Sequence, residues 1–228
     1  MFAIGGSMGG GIGLFGGSFN PIHHGHLIVA RAVAEMLRLS RVVFVPAPNP
    51  PHKPDARLAD ASDRLEMVRL AVAGEPLLEC GDIEIRRPGP SYTILTIQEY
   101  RQPTGDQELF WIIGADSLAE LHTWHRVTEL VELCRIVTVA RPGFELPDLG
   151  GLEKMLSREQ VSRLKRDILS TPRIDISATD IRRRVAEGRS IGYLVPTSVR
   201  QYIEERGLYR LGDAPPAAGG GPCQRNCG

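Results

Sequence analysis

A chain of 228 residues, 42% hydrophobic and 24% charged, has the make-up of one ordinary α/β domain with a well-buried core and room for a small helical appendage. Its 27 Lys and Arg balance 27 Asp and Glu, which excludes the basic excess needed for bulk nucleic-acid or membrane-surface binding. No apolar run is long enough for a membrane span, the first eleven residues lack the regions of a secretion signal, and four cysteines make no disulfide framework, so a reduced, cytoplasmic protein is expected.

In chain order, residues 1–11 are Gly-rich and are expected to form a flexible N-terminus ahead of a domain over 12–211. The pattern predicts a strand over Ile12–Gly16, a glycine turn, and a helix over His26–Leu39. A strand follows over Arg41–Pro46, where the unbroken run Val42–Val45 suits a sheet covered on both faces. Pro46–Arg57 holds five prolines and reads as a loop, either a lid carrying His52 and Lys53 or a plain solvated turn. Then come a helix over Ser62–Ala73, a strand over Leu78–Arg86, a helix over Tyr92–Arg101 and a strand over Leu109–Gly114. Val127–Cys134 reads as helix and Arg135–Ala140 as strand. A charged helix-period stretch runs from Glu153 to Ile168, with a sixth strand over Ile174–Ser177. A last helix over Pro196–Arg206 ends at Gly207, and 212–228, rich in Gly, Pro and Ala, reads as a disordered tail. This alternation predicts a doubly wound, mainly parallel sheet with a C-terminal helical segment, and ligands beyond the carboxyl ends of its strands.

Chemistry concentrates at strand-to-helix junctions. In residues 16–26, Gly16 and Gly17 permit close backbone approach to a ligand and Pro21 stiffens the loop. His23 and His26 sit at a helix mouth, where free N–H groups favour an anion. At a second junction Ser177 and Thr179 offer hydroxyls, as caps or as anion contacts, and Arg182 offers a guanidinium suited to phosphate. At a third, Gly114 permits close approach, while Asp116 either accepts from ribose hydroxyls, binds metal-bound water, or simply caps a helix. Trp124 is either core or a stacking surface for a flat heterocycle. The turn Pro88–Ser91 opens a helix at Tyr92 and Thr93 whose N–H groups suit a carboxylate.

The stretch Gly16–His26 resembles the His-x-Gly-His signature of the nucleotidyltransferases, in a larger group that includes class I aminoacyl-tRNA synthetases. Ile176–Arg182 resembles their second signature, with Ala178 where a second serine is common. With Pro90–Thr93, Ile113–Ser117, Thr123-Trp124, Ala140–Gly143 and the ending Arg206–Tyr209, residues 12–210 are similar to bacterial nicotinate-nucleotide adenylyltransferases. The resemblance implies a Rossmann-like nucleotidyltransferase sheet and the joining of ATP and nicotinate mononucleotide into deamido-NAD and pyrophosphate, in NAD biosynthesis. It implies His23 and His26 as catalytic groups on the ATP phosphates, with Gly16, Gly17, Ser18, Phe19, Gly114, Asp116, Ser177, Thr179 and Arg182 around the ATP. Lys53, Tyr92, Thr93, Trp124 and Arg141 would hold the mononucleotide. Mg2+ would arrive with ATP rather than on a protein-held metal site, and Asn20, where some relatives have aspartate, is not expected to bind it. Neither nucleic acid nor membrane is implied as a partner, and a homo-oligomer is left open. The rivals are a related transferase with another acceptor, a non-catalytic nucleotide sensor, and a zinc protein using His23, His24, His26 and His52.

Overall fold

The computed structural model describes residues 10–48, 58–140 and 145–210. The expected flexible N-terminus up to residue 9, most of the proline-rich loop with His52 and Lys53, Arg141, and the expected tail with Cys223 and Cys227 lie outside the described residues. Gly10 and Gly11 already lead into the sheet: Gly11 O accepts from Ser40 N–H at 2.9 Å and Gly10 O from Gln107 Nε2 at 3.0 Å.

The elements run β1 (Ile12–Gly17), α1 (His24–Leu37), β2 (Arg41–Pro46), α2 (Ala61–Val72), β3 (Leu78–Cys80), α3 (Ile83–Arg86), α4 (Thr93–Thr104) and β4 (Leu109–Gly114). They continue as α5 (Ala115–Glu120), a 3-10 turn at Leu121–Thr123, α6 (Val127–Leu133), β5 (Arg135–Ala140), α7 (Gly150–Glu153), α8 (Arg158–Arg166), β6 (Ile168–Ser170), α9 (Ala178–Ala186) and α10 (Thr197–Arg206). The strands form one parallel sheet in the order β3-β2-β1-β4-β5-β6. The strand order therefore reverses between β1 and β4, which opens a crevice beyond their carboxyl ends.

Strand residues alternate between two cores. Ile12, Leu14, Val43, Val45, Leu109, Trp111 and Ile113 face one side, packed under α4, α6 and α8 through Ile94, Ile97, Leu130, Val161 and Leu164. Val42, Phe44, Phe110, Ile112 and Val137 face the other, against α1, α2, α9 and α10 through Val33, Met67, Val68, Ile181 and Ile203. Period-2 alternation with both faces apolar is what makes these strands read as continuous hydrophobic runs.

Two strand predictions need correction. The third strand stops at Cys80 rather than Arg86, because Asp82 O takes the N–H groups of Ile85 and Arg86 and turns the chain helical. The sixth strand is Ile168–Ser170, paired to β5, and not Ile174–Ser177. Residues 171–177 form no ladder; their alternating Ile174 and Ile176 line a cavity instead.

Candidate active site

A cavity of about 960 Å³ opens at the β1–β4 switch point. On one side lies the loop from β1 into α1. Gly17, Ser18, Phe19, His23 and His26 are on its wall, but Gly16 is not. A Cβ at Gly16 would collide with the Trp111 indole, so this glycine makes room for a core tryptophan rather than for a ligand. At Gly17 an added Cβ would press on the Phe19 ring at 3.0 Å.

The two histidines stack, with ring centroids 3.7 Å apart and planes at 24°. His23 is the N-cap of α1 in extended conformation, and its backbone N–H donates to His26 Nδ1 at 3.3 Å. That bond assigns the proton of a neutral His26 to Nε2. The His26 ring is set edge-on against Phe19 (5.2 Å) and Phe15 (6.1 Å), which fixes its plane. His23 is 6% exposed, and among the described residues its Nδ1 has no hydrogen-bond partner. Burial, followed by the neighbouring His24 imidazole, lowers the His23 pKa to about 4. His23 is thus a neutral ring near pH 7, and an anion reaching it would supply the partner Nδ1 lacks.

The opposite wall is the start of α9. The Ser177 hydroxyl accepts from Asp180 N–H at 3.0 Å, a true N-cap, so that lone pair serves the helix. Arg182 donates through Nη1 to the Asn20 carbonyl at 2.8 Å and through Nη2 to Thr179 Oγ1 at 3.2 Å. Ser177, Thr179 and Arg182 all line the cavity. A third wall is the β4–α5 junction. Gly114 has open space where a Cβ would stand, and Asp116 is exposed in the first turn of α5. Among the described residues Asp116 is the one carboxylate on the cavity wall, and no three His, Cys, Asp or Glu side chains gather as a metal-holding group.

Three further sequence candidates stand apart from this cavity. Tyr92 caps α4 and Thr93 opens it, but neither lines the wall. The Tyr92 ring stacks on His125 at 4.3 Å and 25°, a partner the sequence did not suggest. Trp124 is half-buried and packs against the core, and it does not line the cavity wall. The residue most completely missed is Arg64, 1% exposed, which contacts the β1–α1 loop from behind. Its signal was its phase: Arg64, Met67, Val68 and Val72 share the buried stripe of α2.

A family model described as cytidylyltransferase-like matches residues 14–184. A protein of Thermomicrobium roseum described as a probable nicotinate-nucleotide adenylyltransferase is 44% identical over 203 residues, covering 89% of this chain and 93% of its own. One of Roseiflexus castenholzii with the same description is 46% identical over 201 residues, covering 88% and 98%. Among solved structures, the Plasmodium falciparum nicotinic acid mononucleotide adenylyltransferase complexed with NaAD has a TM-score of 0.67 at 15% identity, over 88% of this chain and 97% of that one. At that identity the likeness speaks for the fold, and the fold is the six-stranded parallel Rossmann-like sheet described above.

Proposed function

This chain belongs to the cytidylyltransferase-like family and, within it, to the nicotinate-nucleotide adenylyltransferases, and on that premise we propose that its switch-point cavity binds ATP for adenylyl transfer. The enzyme joins ATP and nicotinate mononucleotide to give deamido-NAD and pyrophosphate, a step of NAD biosynthesis. An oxygen of the mononucleotide phosphate attacks the α-phosphorus of ATP, the bond to the β-phosphate oxygen breaks, and pyrophosphate leaves with that electron pair. The acceptor is already an anion, so no protein nucleophile is required, and catalysis reduces to positioning and charge stabilisation.

The observation that carries this reading is the stacked His23–His26 pair facing Thr179 and Arg182 across one cavity. The His26 Nε2–H, set by the Nδ1 hydrogen bond, is a donor for a phosphate oxygen on the transferring group. His23 contributes a neutral ring at the mouth of α1, where the helix N-terminus favours negative charge. Arg182 and Thr179 hold the departing pyrophosphate, and Gly114 leaves room for the nucleoside to lie against the end of β4. A divalent metal generally accompanies ATP in such reactions. With Asp116 the one wall carboxylate among the described residues, the donor set fits an ion carried by phosphate oxygens and water, and we take it to be Mg2+. Bound there, it would withdraw charge from the phosphates.

For the acceptor we propose the N-terminus of α4 at Tyr92 and Thr93, with Trp124 beside it and Lys53 and Arg141 on the phosphate. Backbone N–H donors favour the nicotinate carboxylate, since they cannot accept from the NH₂ of nicotinamide. One charge-assisted contact corresponds to about ten- to a hundredfold in kcat/KM. The test is turnover with ATP and nicotinate mononucleotide beside nicotinamide mononucleotide; a better rate with the amide would refute this acceptor pocket. No helix among the described residues is long and apolar enough to cross a membrane. We propose a cytoplasmic location for the enzyme.

A further inference from the structure

The segment Ser18–Asn20 lies on the cavity wall between β1 and α1, and neither a strand ladder nor a helix fixes it. Side chains from distant parts of the chain hold it instead. Arg64 on α2 donates through Nη1 to Ser18 O at 2.8 Å and to Ala47 O at 2.7 Å. Its Nη2 donates to Pro48 O at 2.8 Å and its Nε to Ala59 O at 3.0 Å. All four acceptors are main-chain carbonyls, so a buried guanidinium binds together the phosphate-side loop and both flanks of the proline-rich loop. In a trans peptide C=O and N–H point opposite ways, so anchoring Ser18 O on Arg64 turns the Phe19 N–H away from Arg64. Phe19 is on the cavity wall and Arg64 is not.

Asn20, 2% exposed, is the second anchor. Its Oδ1 accepts from Tyr209 Oη–H at 2.8 Å and from Ala59 N–H at 3.1 Å, while its main-chain O accepts from Arg182 at 2.8 Å. Tyr209 sits past α10 with φ +66°, a left-handed backbone that tyrosine adopts only when its surroundings fix it. Burial of the hydroxyl pushes its pKa above the usual tyrosine range, keeping it a donor.

We propose that Arg64 and Tyr209 are positioning residues for ATP: Arg64 orients the Ser18–Phe19 peptide, and Tyr209, through Asn20, sets the Arg182 guanidinium. This rests on the reading that the cavity binds ATP. Neither residue touches the substrate; each acts through the wall that does. The segment that follows α10 is thereby wired to the phosphate site, although Tyr209 lies 189 residues downstream of Asn20.

The test compares Tyr209→Phe with Tyr202→Phe in the full chain. Tyr202 Oη on α10 donates to Asp63 Oδ1 on α2 at 2.8 Å but holds no wall segment, so it is the stability control. Tyr209→Phe is expected to raise KM for ATP, and the directly measured Kd of ATP, by about three- to tenfold. KM for nicotinate mononucleotide should stay within about twofold, as should both constants in Tyr202→Phe. Arg64→Lys, which keeps the charge but loses two of the five N–H donors and the planar fork that reaches four carbonyls, should move the ATP constants further than Tyr209→Phe does. Melting losses with unchanged ATP constants in Tyr209→Phe would overturn the proposal. A wild-type enzyme that binds ATP but releases no pyrophosphate with the mononucleotide would count against the assigned reaction instead, and the ATP Kd series would still judge Arg64 and Tyr209.

Discussion

Replacing Gly16 by alanine separates two roles that a glycine in a phosphate-type loop can play. A Cβ at Gly16 would stand 2.8 Å from Trp111 Cη2 and closer still to Cζ2. The indole is 4% exposed and belongs to the core beneath α4 and α6, so it can yield only by displacing its neighbours. Overpacking of this kind costs about 1–3 kcal/mol. For a domain of this size each kcal/mol lowers Tm by about 2–4 °C, giving an expected loss of about 2–12 °C. Gly114 is the counterpart: nothing lies within 4 Å of its added Cβ and its φ is −72°, a value any residue adopts. Gly114→Ala should cost less than about 1 kcal/mol and show itself in KM for ATP instead. Thermal melts and steady-state kinetics on the two variants decide it. A Gly16→Ala enzyme that melts with wild type while its KM for ATP rises would refute the packing argument and return Gly16 to the ligand.

Three more outcomes follow from the same geometry. His23 titrates near 6.5 when unfolded and about 4 when folded, so the fold favours its neutral form. That stabilisation is complete above pH 6.5 and is lost as pH falls toward 4, amounting to about 2 kcal/mol between pH 7 and 5; denaturant melts of His23→Gln should lack this component, and an unchanged pH slope would contradict it. Ser177→Ala removes the cap on Asp180 N–H and should cost about 1 kcal/mol of stability, whereas an unchanged Tm with raised KM for ATP would mean that the hydroxyl serves the ligand. Trp124→Ala should raise KM for nicotinate mononucleotide well above its effect on ATP, and weakening of ATP alone would remove the indole from the acceptor side.

Local features of the site were legible because each is written in a few consecutive residues. The strand, glycine turn and helix around His23 and His26, and the junction at Gly114, stand where the pattern put them, while at Ser177 the helix start stands but no strand precedes it. What depends on distant partners was not legible. Gly16 looked like a ligand glycine because its neighbour across the sheet, Trp111, is 95 residues away along the chain and one strand away in space. Arg64 looked like any helix charge, since the four carbonyls that accept from it come from three separate segments. Ile174 and Ile176 copied the alternation of a strand because a cavity wall, like a sheet face, buries every second side chain. The true sixth strand is three residues long, too short to stand out against the helix-period charges of α8.

The proposed reaction depends most heavily on His26, whose Nε2–H is the proposed donor to the transferring phosphoryl group. Pyrophosphate release from ATP and nicotinate mononucleotide by His26→Ala, beside wild type at saturating substrates, is the direct measurement. A folded variant with wild-type Tm and a kcat lowered on the order of 10²–10³-fold is predicted; turnover near wild type in that folded variant would contradict the mechanism at its centre.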